Sequence, residues 1–389
     1  MVRQLDTLIV GAGPAGLAVA GELRARGVPF DIVERERAIA PAWHRHYDRL
    51  HLHTAKRFSS LPGMAFPRDA PTYPARAQVI DYLTAYASRF GIAPRFGVTV
   101  TRLEPEADRS GWRVRTDQGD WVAERAVVAT GLNAVPVTPR WPGMDGYAGE
   151  LLHSSAYRNG ARWRDRRVLV VGAGNSGAEI ALDLAEHGAR ADLCVRAALH
   201  VTRRDTLGLP TPVPTIALAR LPLGLADVIA QATLKLSVGD LSPWGIARPD
   251  YGPLRGIVEH GRIPLIDIGT LARIKRGDIA VRKGIERFDR DAVVFVDDSR
   301  TAYDAVVLAT GYRPGLERLL DDAEELVDAH GRARHGGIAP RPGLYLIGFA
   351  TPLTGLLREI SAAARRIGAH IADSRQRSAR STIAPALPR

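Results

Sequence analysis

Short apolar runs alternate with stretches of helical periodicity along this chain. Two of the runs, residues 8–10 and 168–171, each lead into a glycine-rich turn followed by an alanine- and leucine-rich segment. Another helical pattern covers residues 76–90. Apolar runs of this length between turn residues predict buried strands, and strands that alternate with helices predict a parallel sheet. The pattern therefore predicts an α/β fold with two strand–turn–helix units.

The segments that follow each unit share a common order, in which short strand patterns precede an apolar run that ends on a Thr-Gly pair. After the first unit these patterns lie at 98–103, 112–116, 121–122 and 126–129. After the second unit they lie at 279–281, 292–296 and 305–309. The repetition predicts two domains of one design, each closing with an antiparallel meander and a final parallel strand.

Each glycine-rich turn has the spacing of a dinucleotide-binding turn. In this motif the first glycine allows the chain to reverse, the second allows backbone to approach a pyrophosphate, and the third allows the helix to pack on its strand. The anion then lies at a helix N-terminus. The predicted pyrophosphate contacts are Gly11, Gly13, Pro14, Ala15 and Gly16 in the first turn, and Gly172, Gly174, Asn175, Ser176 and Gly177 in the second.

The end of the second strand of each unit distinguishes the two ligands. The first unit ends this strand in Glu34, whose carboxylate can accept hydrogen bonds from ribose hydroxyls. The second unit has Val195 at the same offset, followed by Arg196. A guanidinium pairs with the 2′-phosphate of NADPH, which a carboxylate would repel. The first turn is therefore predicted to bind FAD and the second NADPH; two tight strand-to-helix connections without ligands are the alternative.

A further apolar run at 344–348 lies far beyond the second turn, which predicts a discontinuous FAD domain with the NADPH domain inserted in it. The predicted fold class is thus α/β with two Rossmann-like dinucleotide-binding domains. The predicted ranges are 1–160 for the first part of the FAD domain, 161–288 for the NADPH domain with a helical insert around 207–260, 289–373 for the second part of the FAD domain, and 374–389 for a flexible tail.

The net charge of +11 is carried almost wholly by arginine, since only Lys56, Lys235, Lys275 and Lys283 are lysines. The arginines are scattered over the whole length, without a basic helix or a stripe of interleaved aromatic residues, so no nucleic-acid partner is expected. The positive charge instead favours anionic cofactors and substrates.

The number of cysteines and the hydropathy of the chain indicate its cellular compartment. Cys194 is the single cysteine, so neither an internal disulfide nor a zinc motif is expected, and a reducing cytoplasm is the simplest location. The first strand pattern already begins at residue 8, which leaves no room for a signal peptide. No apolar run is long enough to span a bilayer, so no integral membrane segment is expected.

Residues 147–157, between the two turns, resemble the FxGxxxHxxx(Y/F) fingerprint of flavin-containing monooxygenases, with Tyr147 in place of the usual Phe. The Baeyer-Villiger relatives have Trp-Pro at the end of this segment, where the chain has Tyr157-Arg158. Other blocks make the chain similar along nearly its full length to the plant auxin-forming YUCCA branch of that family. These blocks lie at 47–53, 71–74, 129–134, 174–177, 264–269 and 309–313.

The resemblance implies an NADPH-dependent FAD monooxygenase. In such enzymes NADPH transfers a hydride to FAD, the reduced flavin forms a C4a-(hydro)peroxyflavin with O2, and one oxygen atom enters a small organic substrate. The YUCCA branch implies an aryl 2-oxo acid such as indole-3-pyruvate, which is decarboxylated oxidatively. Because the cofactor carries the difficult chemistry, the protein is expected mainly to bind, to orient and to exclude water.

Three side chains are candidates for direct roles. The resemblance places His153 near the nicotinamide cofactor and His53 close to where many flavin monooxygenases have asparagine. Asn133, just past the first Thr-Gly pair, is the candidate for hydrogen bonding near the flavin peroxide. A structural histidine and a turn asparagine are the alternatives. Trp43 is expected to cover the flavin ring or to belong to the core. The remaining predicted cofactor contacts are Arg35, Thr130, Gly131, Thr310, Gly311 and Gly348.

Other functions remain open. N- or S-oxygenation of a small metabolite, NADPH oxidase activity that releases hydrogen peroxide, and a flavin-loaded redox sensor are the alternatives, whereas a lone Cys194 disfavours a disulfide reductase. A metal is not predicted, because no carboxylate or cysteine pattern completes the histidine cluster at 44–53. The candidates to neutralise a substrate carboxylate are Arg203, Arg204, Arg248 and Arg255.

Overall fold

The computed structural model of the chain describes residues 3–107, 111–206, 209–210, 212–321, 323–329, 333–334 and 337–383. Within these residues, two main sheets each lead into one of the glycine turns and carry helices on their faces. The predicted α/β fold with two Rossmann-like units is confirmed.

The first sheet contains β1 (Arg3–Val10), β2 (Asp31–Glu34), β3 (Arg95–Phe96), β4 (Val100–Pro105), β5 (Trp112–Thr116), β6 (Gly119–Val128) and β21 (Leu344–Leu346). The order is β3-β2-β1-β6-β5-β4, and β21 also pairs with β6. The pairs around β1 and β6 are parallel, whereas β4, β5 and β6 form an antiparallel meander. Residues 7–10 of β1 are all buried, as expected for a central strand covered on both faces.

The second sheet contains β8 (Glu150–His153), β9 (Arg167–Val171), β10 (Arg190–Cys194), β15 (Ile279–Arg282) and β19 (Ala305–Leu308). The order is β15-β10-β9-β19-β8, and each of these pairs is parallel. A separate antiparallel meander, β16 (Ile285–Phe288), β17 (Ala292–Phe295) and β18 (Arg300–Ala302), precedes β19. Short two-stranded pairs join β7 (Val135–Pro136) to β20 (Tyr312–Arg313), β11 (Val201–Arg203) to β14 (Leu265–Asp267), and β12 (Asp205–Thr206) to β13 (Leu209–Pro210).

The helices are α1 (Pro14–Ala25), α2 (Pro41–Arg45), α3 (Arg76–Arg89), α4 (Asn175–Glu186), α5 (Pro212–Leu218), α6 (Leu223–Val238), α7 (Pro253–His260), α8 (Thr270–Arg276), α9 (Ala323–Leu326) and α10 (Leu356–Ile383). Helices α5, α6 and α7, referred to below as the insert, lie in the range 207–260 predicted for a helical insert, of which residues 207–208 and 211 lie outside the described residues. None of the helices in the described ranges is long and apolar enough to cross a membrane.

Helix α1 is buried over residues 15–23, because the first sheet covers one side and α3 and α10 pack on the others. Small residues allow this close packing. A Cβ on Gly21 would lie 2.1 Å from the hydroxyl oxygen of Tyr86 on α3. The core of the first unit thus fixes the helix whose N-terminus forms the first glycine turn.

Strand β6 is one ten-residue strand where the apolar pattern predicts two short ones. The polar pair Glu124 and Arg125 interrupts the hydrophobic pattern but not the strand. Arg125 is only 6% exposed and donates a hydrogen bond of 3.0 Å to Asp6 and one of 2.9 Å to Glu124. Buried ion pairing therefore replaces apolar burial at this position.

Residues 374–383 of the predicted flexible tail are helical, because α10 continues through Ile383, and their flexibility stays a prediction. The guanidinium of Arg375 donates a hydrogen bond of 2.9 Å to Asp6, which joins the helix to β1. Polar composition alone does not report such partners. Residues 384–389 of the predicted tail lie outside the described residues.

The sheets do not follow the predicted domain limits at 160 and 288. Strand β8 precedes residue 161 and strand β19 follows residue 288, yet both belong to the second sheet. Strand β21 then returns to the first sheet. The predicted ranges stay a prediction for the domains, but the second sheet is wider than the range 161–288.

Candidate active site

The first glycine turn brings backbone against backbone at distances that exclude side chains. Gly11 has a φ of +109°, and a Cβ on it would lie 2.7 Å from the carbonyl oxygen of Ala129. A Cβ on Gly16 would lie 1.9 Å from the carbonyl oxygen of Gly11, so α1 packs on β1 only with glycine there. Nothing lies within 4 Å of the corresponding position on Gly13. This open side is where a phosphate can approach the backbone.

The second turn repeats this geometry. Gly172 also has a φ of +109°, and its Cβ position lies 2.5 Å from the carbonyl oxygen of Ala309. The Cβ position of Gly177 lies 1.8 Å from the carbonyl oxygen of Gly172. Gly174 is open, with nothing within 4 Å. Two separate segments of the chain thus form two cradles of the same geometry.

Helices α1 and α4 begin directly after Gly13 and Gly174. Neither helix N-terminus receives a hydrogen bond from a capping side chain. The first N–H groups of each helix therefore lack intrahelical partners and, together with the helix dipole, favour an anion. The residues present fit a dinucleotide pyrophosphate at both turns.

The carboxyl ends of the parallel strands β1, β2, β6 and β21 meet beside the first turn. Glu34, at the end of β2, is buried and accepts hydrogen bonds from the backbone N–H groups of Ala12 at 2.9 Å and Glu36 at 3.1 Å. These bonds hold the carboxylate toward the turn and leave lone pairs for further donors. Gly348, after β21, has its Cβ position 3.1 Å from Ala15 Cβ, so this strand end approaches α1 closely.

A cavity of about 890 Å³ runs from the first turn to the helical insert. The hydroxyl of Thr130 on its wall is buried and has no hydrogen-bond partner among the described residues, which suits a polar ligand. The cavity is lined by most of the predicted first-cofactor residues and by one residue of the second turn. These are Gly11, Gly13, Pro14, Ala15, Glu34, Arg35, Trp43, Thr130, Gly131, Asn175 and Gly348.

The other predicted cofactor residues, apart from Gly16 in the first turn, lie around the second turn and outside this cavity. Ser176 lies in the first turn of α4, and the hydroxyl of Thr310 donates to the carbonyl of Val137. Arg196 is exposed just beyond the end of β10 and has no ion-pair partner among the described residues. An unpaired guanidinium at this strand end is suited to a phosphate that lies on the cradle.

His153 uses both of its ring nitrogens inside the protein. Its Nδ1 accepts a hydrogen bond of 3.1 Å from the backbone N–H of Ser155, so the proton lies on Nε2 and is donated to the carbonyl of Gly311 at 3.1 Å. Burial lowers the pKa of His153, which keeps the ring neutral. The residue joins β8 to the Thr-Gly end of β19 and does not line the cavity.

His53 and Asn133, in contrast, both line the cavity. Asn133 is exposed to it, and its side chain has no hydrogen-bond partner among the described residues. His53 contacts the carboxylate of Glu179 through Nε2. Trp43, on α2, lies between the cavity and the core of the first unit. The structure therefore separates the three catalytic candidates, with His53 and Asn133 near the first cofactor position and His153 near the second turn.

The sequence pattern missed Glu179 and the apolar wall of the cavity. Glu179 follows the second turn by two residues and is almost fully buried, but its partner lies 126 residues away in the chain, so no local pattern pairs the two. The four arginines suggested for a substrate carboxylate do not line the cavity. Arg248 donates to the carbonyl of Gly239, and Arg255 pairs with Glu259.

The histidine cluster at 44–53 does not converge on one point. His51 Nδ1 donates to the carbonyl of Arg49 at 2.6 Å, whereas His53 faces Glu179. In the part of the chain that the structure describes, no group of three or more histidine, cysteine, aspartate or glutamate side chains has the geometry of a metal site.

Alanine substitutions at the two open glycines are expected to weaken the binding of different cofactors. Gly13→Ala places a methyl group where the FAD pyrophosphate approaches, so the dissociation constant for FAD is expected to rise by at least about tenfold while the fold is retained. Gly174→Ala is expected to raise KM for NADPH by a similar factor and to leave FAD content unchanged. Flavin fluorescence titration and steady-state kinetics measure both effects. Equal effects of both variants on both cofactors would contradict the assignment.

Arg196→Gln removes the guanidinium beside the second cradle. KM for NADPH is expected to rise about tenfold or more, because a charge-assisted pair with the 2′-phosphate is lost, while KM for NADH changes by less than about twofold. Arg190→Gln is the matched control, since Arg190 is also exposed on β10 but lies at the opposite end of the strand. A parallel change for NADH and NADPH would refute the role of Arg196.

Comparison with known proteins places this geometry in a family. The pyridine nucleotide-disulphide oxidoreductase profile matches residues 8–208. The chain is 43% identical to indole-3-pyruvate monooxygenase YUCCA1 of Oryza sativa subsp. japonica over 88% of this chain and 86% of the relative. It is 41% identical to indole-3-pyruvate monooxygenase YUCCA6 of Arabidopsis thaliana over 88% and 85% of the two chains.

Solved structures agree on the fold. The flavin-containing monooxygenase from Stenotrophomonas maltophilia matches with a TM-score of 0.71 at 24% identity, over 95% of this chain and 99% of that one. Oxidized steroid monooxygenase bound to NADP matches with a TM-score of 0.77 at 19% identity, over 96% and 86%.

The disulfide chemistry in the name of the matching profile does not suit this chain. Cys194 is the only cysteine, and it is buried with its thiol directed at the carbonyl of Lys283 at 3.0 Å. Burial raises the pKa of this thiol to about 11, so it is a poor nucleophile. With both nucleotide cradles present and no cysteine pair, the chain belongs to the YUCCA branch of the flavin-containing monooxygenases and is a flavin-dependent monooxygenase that uses FAD and NADPH.

Proposed function

We propose that the enzyme oxidatively decarboxylates an aryl 2-oxo acid, with indole-3-pyruvate as the best candidate. The observation that carries this proposal is the identity of 43% and 41% with two plant enzymes named for indole-3-pyruvate, over most of both chains. The balanced reaction is 2-oxo acid anion + NADPH + H⁺ + O2 → shortened acid anion + CO2 + NADP⁺ + H2O. The substrate and NADPH each give two electrons to O2.

The far end of the cavity supports an aromatic substrate. It is enclosed by helices α5, α6 and α7 of the insert, the loop that follows them and strand β14, which present apolar side chains. These are Leu218, Ala230, Leu234, Leu254, Ile257, Ile263 and Ile266. Three threonines also line the cavity, Thr215 and Thr233 from the insert and Thr202 from β11. Such a wall favours a planar apolar group and excludes water from it.

The protein's own contribution is binding and orientation. The α1 N-terminus, Gly13 and Glu34 would hold the FAD, and the α4 N-terminus, Gly174 and Arg196 would hold the NADPH. When bound, the flavin takes electrons from the nicotinamide and activates O2. The Thr130 hydroxyl and the Asn133 amide offer hydrogen bonds at the cavity wall.

We further infer that the protein is cytoplasmic and has no nucleic-acid partner. A single buried cysteine is typical of a protein in a reducing compartment. Many surface arginines form ion pairs with carboxylates and so do not make up an uncompensated basic surface. Examples are the pairs of Arg113 with Glu106 and of Arg300 with Asp289. A saturable complex with duplex DNA in a gel-shift titration at physiological salt would contradict the second inference.

The substrate assignment is tested with the purified FAD-loaded enzyme. Indole-3-pyruvate is expected to accelerate NADPH oxidation and to give indole-3-acetate in near-equal amount to the NADPH consumed, measured by absorbance and by chromatography. A panel of amines and thioethers tests the alternative oxygenations. Faster oxidation with one of these and none with 2-oxo acids would overturn the substrate class, and peroxide formation independent of any organic compound would indicate an oxidase.

Two variants on helix α6 localise the substrate. Ala230→Phe fills the cavity beside the insert, so KM for the 2-oxo acid is expected to rise about tenfold with little change in KM for NADPH. Leu236→Phe is the matched control, because Leu236 lies on the same helix but is 89% exposed, and its KM is expected to stay within about twofold of the parent value. Equal effects of the two variants would place the substrate elsewhere.

A further inference from the structure

Helix α4 carries a buried carboxylate that reaches the cavity of the other unit. The side chain of Glu179 is 1% exposed, and its Oε1 contacts Nε2 of His53, whose imidazole lines the cavity. The second carboxylate oxygen of Glu179 is buried and has no hydrogen-bond partner among the described residues. A buried carboxylate is costly unless donors compensate it, and the N–H of His53 and the hydroxyl of Tyr47 are donors that interact with Glu179.

The contact fixes the tautomer of His53. An ionised carboxylate can only accept hydrogen bonds, so Nε2 of His53 carries the hydrogen and Nδ1 keeps its lone pair. This Nδ1 has no hydrogen-bond partner among the residues that the structure describes. The arrangement differs from that of His153, whose two ring nitrogens both bond to protein groups. It differs also from that of His51, which bonds to a backbone carbonyl and has no carboxylate partner in the described part of the chain.

The titratable neighbours of the pair do not compete for a proton near neutral pH. Burial and the charge of Glu179 raise the pKa of Tyr47 well above its usual value. Burial and nearby arginines lower the pKa of His46 to about 4. Both side chains therefore stay neutral between about pH 6 and 9. The charged side chains that act on these two groups are Arg45, Arg49, Arg76, Arg158 and Glu179.

We propose that His53 and Glu179 form a proton-holding dyad on the cavity wall, in which Glu179 is the positioning residue. The proposal rests on the proposed function for its substrate, but one proton is consumed per turnover whenever NADPH and O2 oxygenate an organic compound. His53 Nδ1 binds that proton from solvent and becomes an imidazolium, which the buried carboxylate of Glu179 stabilises. The proton then passes to the oxygen atom that is not incorporated, whose other hydrogen derives from NADPH in the overall reaction, and this oxygen leaves as water. Nδ1 regains its lone pair and is protonated again in the next turnover.

The tautomer is measured without catalysis. In the ¹⁵N-histidine-labelled, FAD-loaded oxidised enzyme, two-bond ¹⁵N–¹H correlations are expected to show hydrogen on Nε2 and a lone pair on Nδ1 for the ring whose signals vanish in His53→Gln. Glu179→Gln is expected to weaken this preference, because a neutral amide can both donate and accept. Hydrogen on Nδ1, or identical spectra for Glu179→Gln, would overturn the dyad.

The proton role is measured by separating the half-reactions. Glu179→Gln and His53→Gln are each expected to lower kcat about 100-fold, while the rate of anaerobic flavin reduction by NADPH stays within about threefold of the parent. The double variant is expected to be no slower than either single variant, because the two residues act as one unit. Additive losses, or equal losses in anaerobic reduction, would refute the proposal.

Asp183→Asn is the matched control for removing a buried carboxylate. Asp183 lies one turn further along α4, is 4% exposed, and accepts hydrogen bonds from the Tyr157 hydroxyl at 2.6 Å and the Gly160 N–H at 2.8 Å, away from the cavity. Its kcat is expected to match the parent in enzyme of equal FAD content and melting temperature. A 100-fold loss in this variant would show a general structural effect and overturn the role of Glu179.

His51→Gln is the matched control for His53, because the His51 ring bonds to a backbone carbonyl and not to Glu179. Its kcat is expected to stay within about threefold of the parent, whereas His53→Gln loses about 100-fold. An equal loss in His51→Gln would overturn the specific role of His53. If the parent forms no product from 2-oxo acids, the proposed function fails, whereas the tautomer experiment still decides the dyad.

Discussion

The whole arrangement depends on the close approach of two backbone segments at each glycine turn. The carbonyl oxygen of Ala129 lies 2.7 Å from the Cβ position of Gly11, and that of Ala309 lies 2.5 Å from that of Gly172. Only the hydrogen atom of a glycine fits at these distances. The end of one parallel strand therefore packs directly against the glycine turn that follows the neighbouring strand. This contact brings the Thr-Gly strand end and the free helix N-terminus to one side of the sheet, which is the geometry that a dinucleotide needs.

A second constraint joins the two cradles. The segment 47–53 leaves the first unit, inserts Tyr47 and Leu50 into the core of the second, and returns with Leu52 in the core of the first. Polar contacts fasten the same segment to the second unit, among them the pair of Arg49 with Glu186 at 3.2 Å. Since this segment ends at His53 on the cavity wall, the packing that fixes the relative position of the two units also fixes a side chain of the site.

The sequence predicts the features that depend on local backbone chemistry. Both turns, the strands that lead into them and the carboxylate of Glu34 follow from spacing alone, because glycine conformation and strand ends are local properties. Features that depend on distant partners were not predictable. Arg125 lies buried in a strand because Asp6 compensates it, and α10 extends past residue 374 with a contact to the same Asp6. The pairing of Glu179 with His53 likewise joins residues far apart in the chain, and the identity of neither residue indicates its partner.

The distribution of polar groups along the cavity explains why so few side chains suffice for oxygen chemistry. Backbone N–H groups and Glu34 are available for the first cofactor, whereas the insert lines the far end with aliphatic side chains and threonines. On the same cavity wall the Thr130 hydroxyl, the Asn133 amide and the His53 imidazole offer hydrogen-bonding atoms that the described protein leaves free. A low-dielectric wall strengthens each of these interactions and keeps bulk water away. The proposed substrate contacts and the proposed proton-holding dyad therefore involve different residues, so that selectivity and proton handling can change independently.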